Sequence, residues 1–200
     1  MITGIVLAAG KASRFGGEKM LVHLGGTPMV CRTVAACVSS RLDEILVVTP
    51  PSPEVQEAIV QRFPVEERIR YAVNPDPERG MLSSLKVGLK ATTQQTSAAM
   101  VILGDMPMVP ANLMDELVIE HAWHGGILLP VCGGEWRHPR VIPRELFAEI
   151  QALPDDGKGT EVIERYRADI TTVDVSDDNT FLDVDEPADV EIWRRANEHG

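Results

Sequence analysis

Aromatic side chains are scarce in this 200-residue chain, only 4% of the total. So thin a supply argues against a stacking platform for single-stranded nucleic acid. Basic residues are also outnumbered. Nineteen lysines and arginines stand against thirty aspartates and glutamates, a formal net charge of -11. A long duplex contact needs a broad basic face, so no nucleic-acid partner is expected. Cysteine is limited to Cys31, Cys37 and Cys132. None forms a CxxC pair and the histidines complete no zinc spacing, which disfavours structural zinc and a disulfide framework. Cys31 and Cys37 read as small buried hydrophobes of one helix. No apolar run approaches membrane length, and no basic segment leads into an apolar stretch at the N-terminus. A cytoplasmic protein without a membrane partner is the expectation.

Apolar residues make up 44% of the chain, a globular composition. The length suits one well-packed domain over residues 1–200 rather than two cores. Charge is spread unevenly. Residues 1–42 hold Lys11, Arg14, Lys19, Arg32 and Arg41 against the single acid Glu18. A small anionic ligand near the N-terminus fits that excess, and so does a chance basic stretch.

Strand-like and helix-like segments alternate. ITGIVLAAG at residues 2–10 is too continuously apolar for a half-wet strand and reads as central in a parallel sheet. Further strands are expected at 44–50, 69–73, 98–105, 125–132 and 170–175. Helices are expected from Pro28, over 54–62 and 81–91, from Pro110 to about His121, over 143–153 and 159–166, and over the closing segment 186–199. Residues 10–27 read as a loop. Gly88 falls mid-helix, where close packing on the sheet would justify it. The alternation predicts an α/β fold: a single-domain, Rossmann-like three-layer sandwich with a mostly parallel central sheet. Ligands of such sheets sit beyond the carboxyl ends of the strands, which is where Gly10 to Lys19 and Gly104-Asp105 fall.

Three segments carry chemistry. The first is LAAGKASRFGGEK, residues 7–19. Its glycines let backbone N–H groups approach phosphate oxygens, while Arg14 offers a planar fork and Lys19 a point charge. It matches neither GxxxxGK[ST] nor GxGxxG. The second is Asp105 at a strand end, placed to bind a divalent cation or to serve as a turn carboxylate. The third is FLDVDEPADV, residues 181–190. Asp183 and Asp185 lie two apart and face one way on extended chain, although Asp185 could instead cap the last helix.

The opening resembles the LAAGxSxRxGxxK signature of the MobA-like nucleotidyltransferases, in the branch that matures the molybdenum cofactor. The match is LAAG at 7–10, Arg14, Gly16 and Lys19. NPDPERGMLSSLKVGL, LGDMP, EWRHPRVI and FLDVDEPADV extend the resemblance to about residue 190. The signature's serine is replaced by Ala12, with Ser13 next.

The resemblance implies transfer of a nucleotide to the terminal phosphate of molybdopterin, with pyrophosphate leaving. It implies nucleotide binding by Leu7, Ala8, Ala9, Gly10, Arg14, Lys19, Ser83, Ser84 and Gly104. Arg14, Lys19 and Asp105 would be catalytic. Mg²⁺ would sit on Asp105 and Asp183, with Asp185 the alternative ligand. His138 matches a segment on the acceptor side, and its neighbour Trp136 is a candidate there. LAAG resembles the cytidylyl branch, with CTP as donor and the Ala9 methyl lining the base pocket. The DMP after Gly104 resembles the guanylyl branch equally. A sugar-phosphate nucleotidyltransferase and a non-enzymatic cofactor carrier are the rival readings. A recipient molybdoenzyme is the implied protein partner.

Overall fold

A computed structural model describes residues 1–10, 18–154 and 157–198. In chain order the strands are β1 (Ile2–Leu7), β2 (His23–Leu24), β3 (Thr27–Pro28), β4 (Glu44–Thr49), β5 (Ile69–Val73), β6 (Ala98–Leu103), β7 (Leu128–Cys132), β8 (Glu135–Trp136), β9 (Arg140–Pro143) and β10 (Thr171–Asp174). The α-helices are α1 (Met29–Val38), α2 (Glu54–Arg62), α3 (Met81–Ala91), α4 (Ala111–His124), α5 (Phe147–Ala152), α6 (Gly159–Arg165) and α7 (Pro187–Glu198).

The main sheet runs β10-β7-β9-β6-β1-β4-β5, with β8 paired to β7. Every pairing is parallel except those made by β8 and β9. The chain winds outward from β1 through β4 to β5, then returns to place β6 on the other side of β1. This reversal opens a crevice at the carboxyl ends of β1 and β6. Residues of β1 alternate between the two faces. Val6 packs with α1, α2, α4 and α7 residues such as Val30, Ile59, Met114 and Trp193. Ile5 and Leu7 pack with α3, α5 and α6 residues such as Leu85, Ile150 and Ile163. The result is the expected three-layer sandwich.

Two features depart from the sequence reading. The segment 10–27 contains a short 3-10 turn, Lys19–Leu21, and an antiparallel hairpin of β2 and β3. Its tip is Gly25-Gly26, both at positive φ. RHPRVIP supplies β9, an antiparallel strand wedged between β6 and β7. Four residues, preceded by Pro139 and ending in Pro143, give too short a period to read as a strand. All three cysteines are free and buried, in line with the reading of Cys31 and Cys37. Among the described residues no helix is long and apolar enough to cross a membrane.

Gly88 is placed where α3 presses on the sheet. A Cβ there would stand 2.5 Å from Ile5 Cγ2 and 3.1 Å from Val48 Cγ2. Both neighbours are fully buried. Alanine would gain about 1 kcal/mol of helix propensity, but overpacking a rigid, β-branched neighbour costs about 1–3 kcal/mol. Gly88→Ala should therefore lower the urea midpoint. A midpoint equal to or above wild type would show that the helix can lift off at no net cost.

Candidate active site

The crevice is built around the close approach of two strand ends. Gly104 N donates to Leu7 O at 3.0 Å. A Cβ on Gly104 would meet that same oxygen at 2.9 Å and Met20 Sδ at 3.0 Å, so the position has no room for a side chain. Thr33 of α1 donates its hydroxyl to Gly104 O at 3.0 Å and fixes the turn from below. The next residue, Asp105, is thereby held over the carboxyl edge. Its backbone oxygen accepts from Val184 N at 3.1 Å, which brings the late segment 181–186 against it.

Lys19 joins the pieces. It is 5% exposed. Its Nζ donates to Asp105 Oδ2 at 2.6 Å and also to Asp185 Oδ1. Burial disfavours the ammonium, but the charge and hydrogen bond of Asp105, then those of Asp185, outweigh it and raise the pKa. Three distant stretches of chain thus meet at one cation. Asp183 stands beside them. Loss of hydration, then the charges of Asp105 and Asp185, push its carboxyl up to about 6.

The capping alternative for Asp185 is not what the structure shows. Asp189 Oδ2 accepts from the backbone N–H of both Asp185 and Glu186 at 2.8 Å. Asp185 leaves its side chain for Lys19. A carboxylate four residues further on does the capping, because it is inside the helix's first turn and reaches back.

Ser83 and Ser84 lie in the first turn of α3. Asn74 Nδ2 donates to both hydroxyls at 2.9 Å, and Ser83 Oγ donates to Gly80 O at 2.7 Å. Asn74 is 2% exposed. It organises the pair and was not singled out from sequence. The available signal was an asparagine opening a turn of alternating prolines.

Two cavities share the walls Leu7, Gly80 and Met81. One, about 290 Å³, is lined by Gly10, Ser84, Leu103 and Asp105. The other, about 370 Å³, is lined by His138, Arg140, Lys158 and Thr160 with several aliphatic residues. At their junction Gly80 has φ 89°, a conformation open to glycine and costly for other residues. His138 Nδ1 is 3.2 Å from Val101 O, so it donates and the other ring nitrogen is left as an acceptor. Burial first, and then the Arg140 charge, push the imidazole down to about 3.

Several sequence expectations resolve differently. Ala8 and Ala9 are buried, and Ala9 belongs to the apolar cluster beneath α3 rather than to either cavity wall. Its methyl fills the core instead of lining a pocket. Trp136 is stacked under Arg167, whose Cζ is 4.2 Å from the ring centroid, and lines neither cavity. Arg14 lies outside the described residues, as do Lys11 and Gly16. Arg140 belongs to the EWRHPRVI segment, whose resemblance implies no role for it.

Oxygen ligands and converging negative charge suit a hard divalent cation. Among the described residues no three His, Cys, Asp or Glu side chains are set to hold a metal unaided. Two carboxylates completed by substrate phosphates is the arrangement that Mg²⁺ commonly takes.

A family model described as the MobA-like NTP transferase domain matches residues 4–170. The molybdenum cofactor guanylyltransferase of Shewanella frigidimarina is 29% identical over 193 residues, covering 93% of this chain and 92% of that protein. A probable molybdenum cofactor guanylyltransferase of Thermococcus sibiricus is 28% identical over 145 residues. That match covers 70% of this chain and spans only 65% of the relative. Among solved structures, the Rv0371c homologue from Mycobacterium sp. strain JC1 superposes with a TM-score of 0.84 at 26% identity, over 99% of this chain and 97% of that one.

Proposed function

The chain belongs to the MobA-like NTP transferase family, and on that premise we propose that it transfers CMP from CTP to the terminal phosphate of molybdopterin and releases pyrophosphate. The observation that carries the reading is the meeting of Lys19, Asp105 and Asp185 at the switch point of the sheet. It puts two carboxylates able to hold a divalent cation, and a lysine able to turn to phosphate, beside the 290 Å³ cavity, which shares walls with a second cavity able to take an acceptor.

In this reading an oxygen of the acceptor phosphate attacks the α-phosphorus of CTP. A new P–O bond forms, the α–β bond breaks, and pyrophosphate departs with its electron pair. A phosphate nucleophile is already anionic near neutral pH, so no general base is required. His138, pushed down to about 3, is too weak a base to be called on for that role. Lys19 and Arg14 would stabilise negative charge on the phosphates as it shifts to the leaving group. Mg²⁺ on Asp105 and one of Asp183 and Asp185 would supply further positive charge there. The 290 Å³ cavity beside Asp105 would take the nucleotide, and the 370 Å³ cavity the pterin. The product would pass to a recipient molybdoenzyme in the cytoplasm.

Cytidylyl specificity rests on the LAAG spelling. Ala9 itself is buried in the core and lines neither cavity, so the assignment stands on the resemblance and not on a contact to the base. A guanylyl reading is favoured by the names of the relatives. Competition between CTP and GTP at equal concentration, with Mg²⁺ and molybdenum-loaded cofactor, decides it. We expect cytidylated product in excess by at least about tenfold, the discrimination a shape-selective pocket gives. Mainly guanylated product would overturn the base assignment. Pyrophosphate release with sugar phosphates alone would overturn the acceptor, and binding of cofactor without turnover would favour a carrier.

A further inference from the structure

The 370 Å³ cavity has walls that are mostly hydrocarbon, among them Leu82, Leu85 and Ile142. One residue of that wall is out of place. Arg140 is only 9% exposed, on a strand whose next two residues are Val141 and Ile142. Its Nε donates to Arg137 O at 3.1 Å. Among the described residues no carboxylate forms an ion pair with it. Glu164 acts on it from a distance, but that carboxylate is held by Arg167 through two hydrogen bonds of 2.9 Å. Burial accordingly lowers the Arg140 pKa. His138 on the same wall is neutral and supplies no counter-charge.

A guanidinium buried without a bonded anion is destabilising. An aliphatic residue would complete the wall without that cost. A planar fork on a residue that lines a cavity is suited to binding an anion through two parallel hydrogen bonds. Arg79 and Lys158, both exposed, add positive charge around the opening.

We propose that Arg140 binds a second anionic group of the acceptor, remote from the phosphate that is attacked, and so selects acceptors that are negatively charged at both ends. The inference rests on the acceptor reading of this cavity. A dithiolene-bound oxomolybdenum group has the required charge. A sugar phosphate has only hydroxyls at its far end and leaves the guanidinium unpaired.

The test compares wild type with Arg140→Gln, Arg140→Met and Arg140→Lys. With molybdenum-loaded cofactor, the Gln and Met variants should raise the acceptor KM tenfold or more, with the CTP KM unchanged and kcat within threefold. Arg140→Lys should recover part of the loss. In parallel, 6-carboxypterin should bind wild type at least tenfold more tightly than Arg140→Gln, while neutral 6-hydroxymethylpterin binds both alike. Arg140→Met should melt at or above the wild-type temperature, as expected when an unpaired buried charge is removed. An unchanged acceptor KM in a protein that turns over, equal binding of the two pterins, or a marked fall in Tm for Arg140→Met would overturn the proposal. Arg140-dependent binding of 6-carboxypterin in a wild-type protein that does not turn over the cofactor would sink the acceptor reading and leave the anion site standing.

Discussion

Asp105→Asn should fold normally and lose about a thousandfold or more in turnover, the loss expected when several kcal/mol of charge stabilisation at a phosphoryl centre disappears. The fold should survive for local reasons. The backbone oxygen that holds Val184 N is untouched, and the side chain is 22% exposed. Asparagine keeps the shape and one oxygen that can still accept from Lys19, but it is a poor ligand for a hard cation. Asp185→Asn should follow with a large loss, because Asp185 shares the Lys19 ammonium with Asp105. Asp183→Asn should cost less, since Asp183 is not bonded to the Lys19 ammonium that joins Asp105 to Asp185. Turnover across a Mg²⁺ titration, with circular dichroism on each variant, makes the comparison. Wild-type turnover and Mg²⁺ dependence in folded Asp105→Asn would remove the metal assignment. Loss confined to Asp183→Asn would return the second ligand to the earlier aspartate.

The layers of the fold were legible because long apolar periods dominate the sequence. The bounds of α2, β5 and α3 agree with the expectation residue for residue. Gly88 was legible as well, since a helix-interior glycine needs a steric cause and Ile5 is that cause. β9 was not legible. Its four residues carry too little pattern, and its antiparallel place depends on β6 and β7 being there to receive it. The site was legible in part. Asp105 and Lys19 stood out as polar residues at a strand end and in a glycine-rich loop. Their ion pair could not be read, because it spans 86 positions and needs the finished sheet. The same holds for Asp185, whose side chain was free to cap until Asp189 took that role. Arg140 was hidden in a motif. Nothing in RHPRVI distinguishes a buried arginine from a surface one, since burial there depends on β9 being inserted between β6 and β7.

Lys19 was expected to serve the phosphates apart from the metal, and its geometry changes what its removal should do. The ammonium stands between Asp105 and Asp185, charged throughout the neutral range because those carboxylates more than offset its burial. A divalent cation drawn to the same two carboxylates therefore competes with it. Binding of Mg²⁺ and nucleotide would require Lys19 to yield the carboxylate oxygens and turn toward phosphate, which a flexible four-carbon stem permits. Lys19→Met keeps most of the length and an unbranched buried stem without the charge. Turnover should fall about a hundred- to a thousandfold, the usual effect of deleting one donor to a developing anion. Mn²⁺ binding in the absence of nucleotide should move the other way and tighten, because the competing cation has gone and the carboxylates are left with unbalanced negative charge. Titration of Mn²⁺ followed by its electron paramagnetic resonance signal reads the second effect without any turnover. Weaker Mn²⁺ binding in Lys19→Met would mean that the ammonium holds the carboxylates in position for the metal rather than competing with it. Turnover within threefold of wild type would remove Lys19 from the phosphate chemistry altogether.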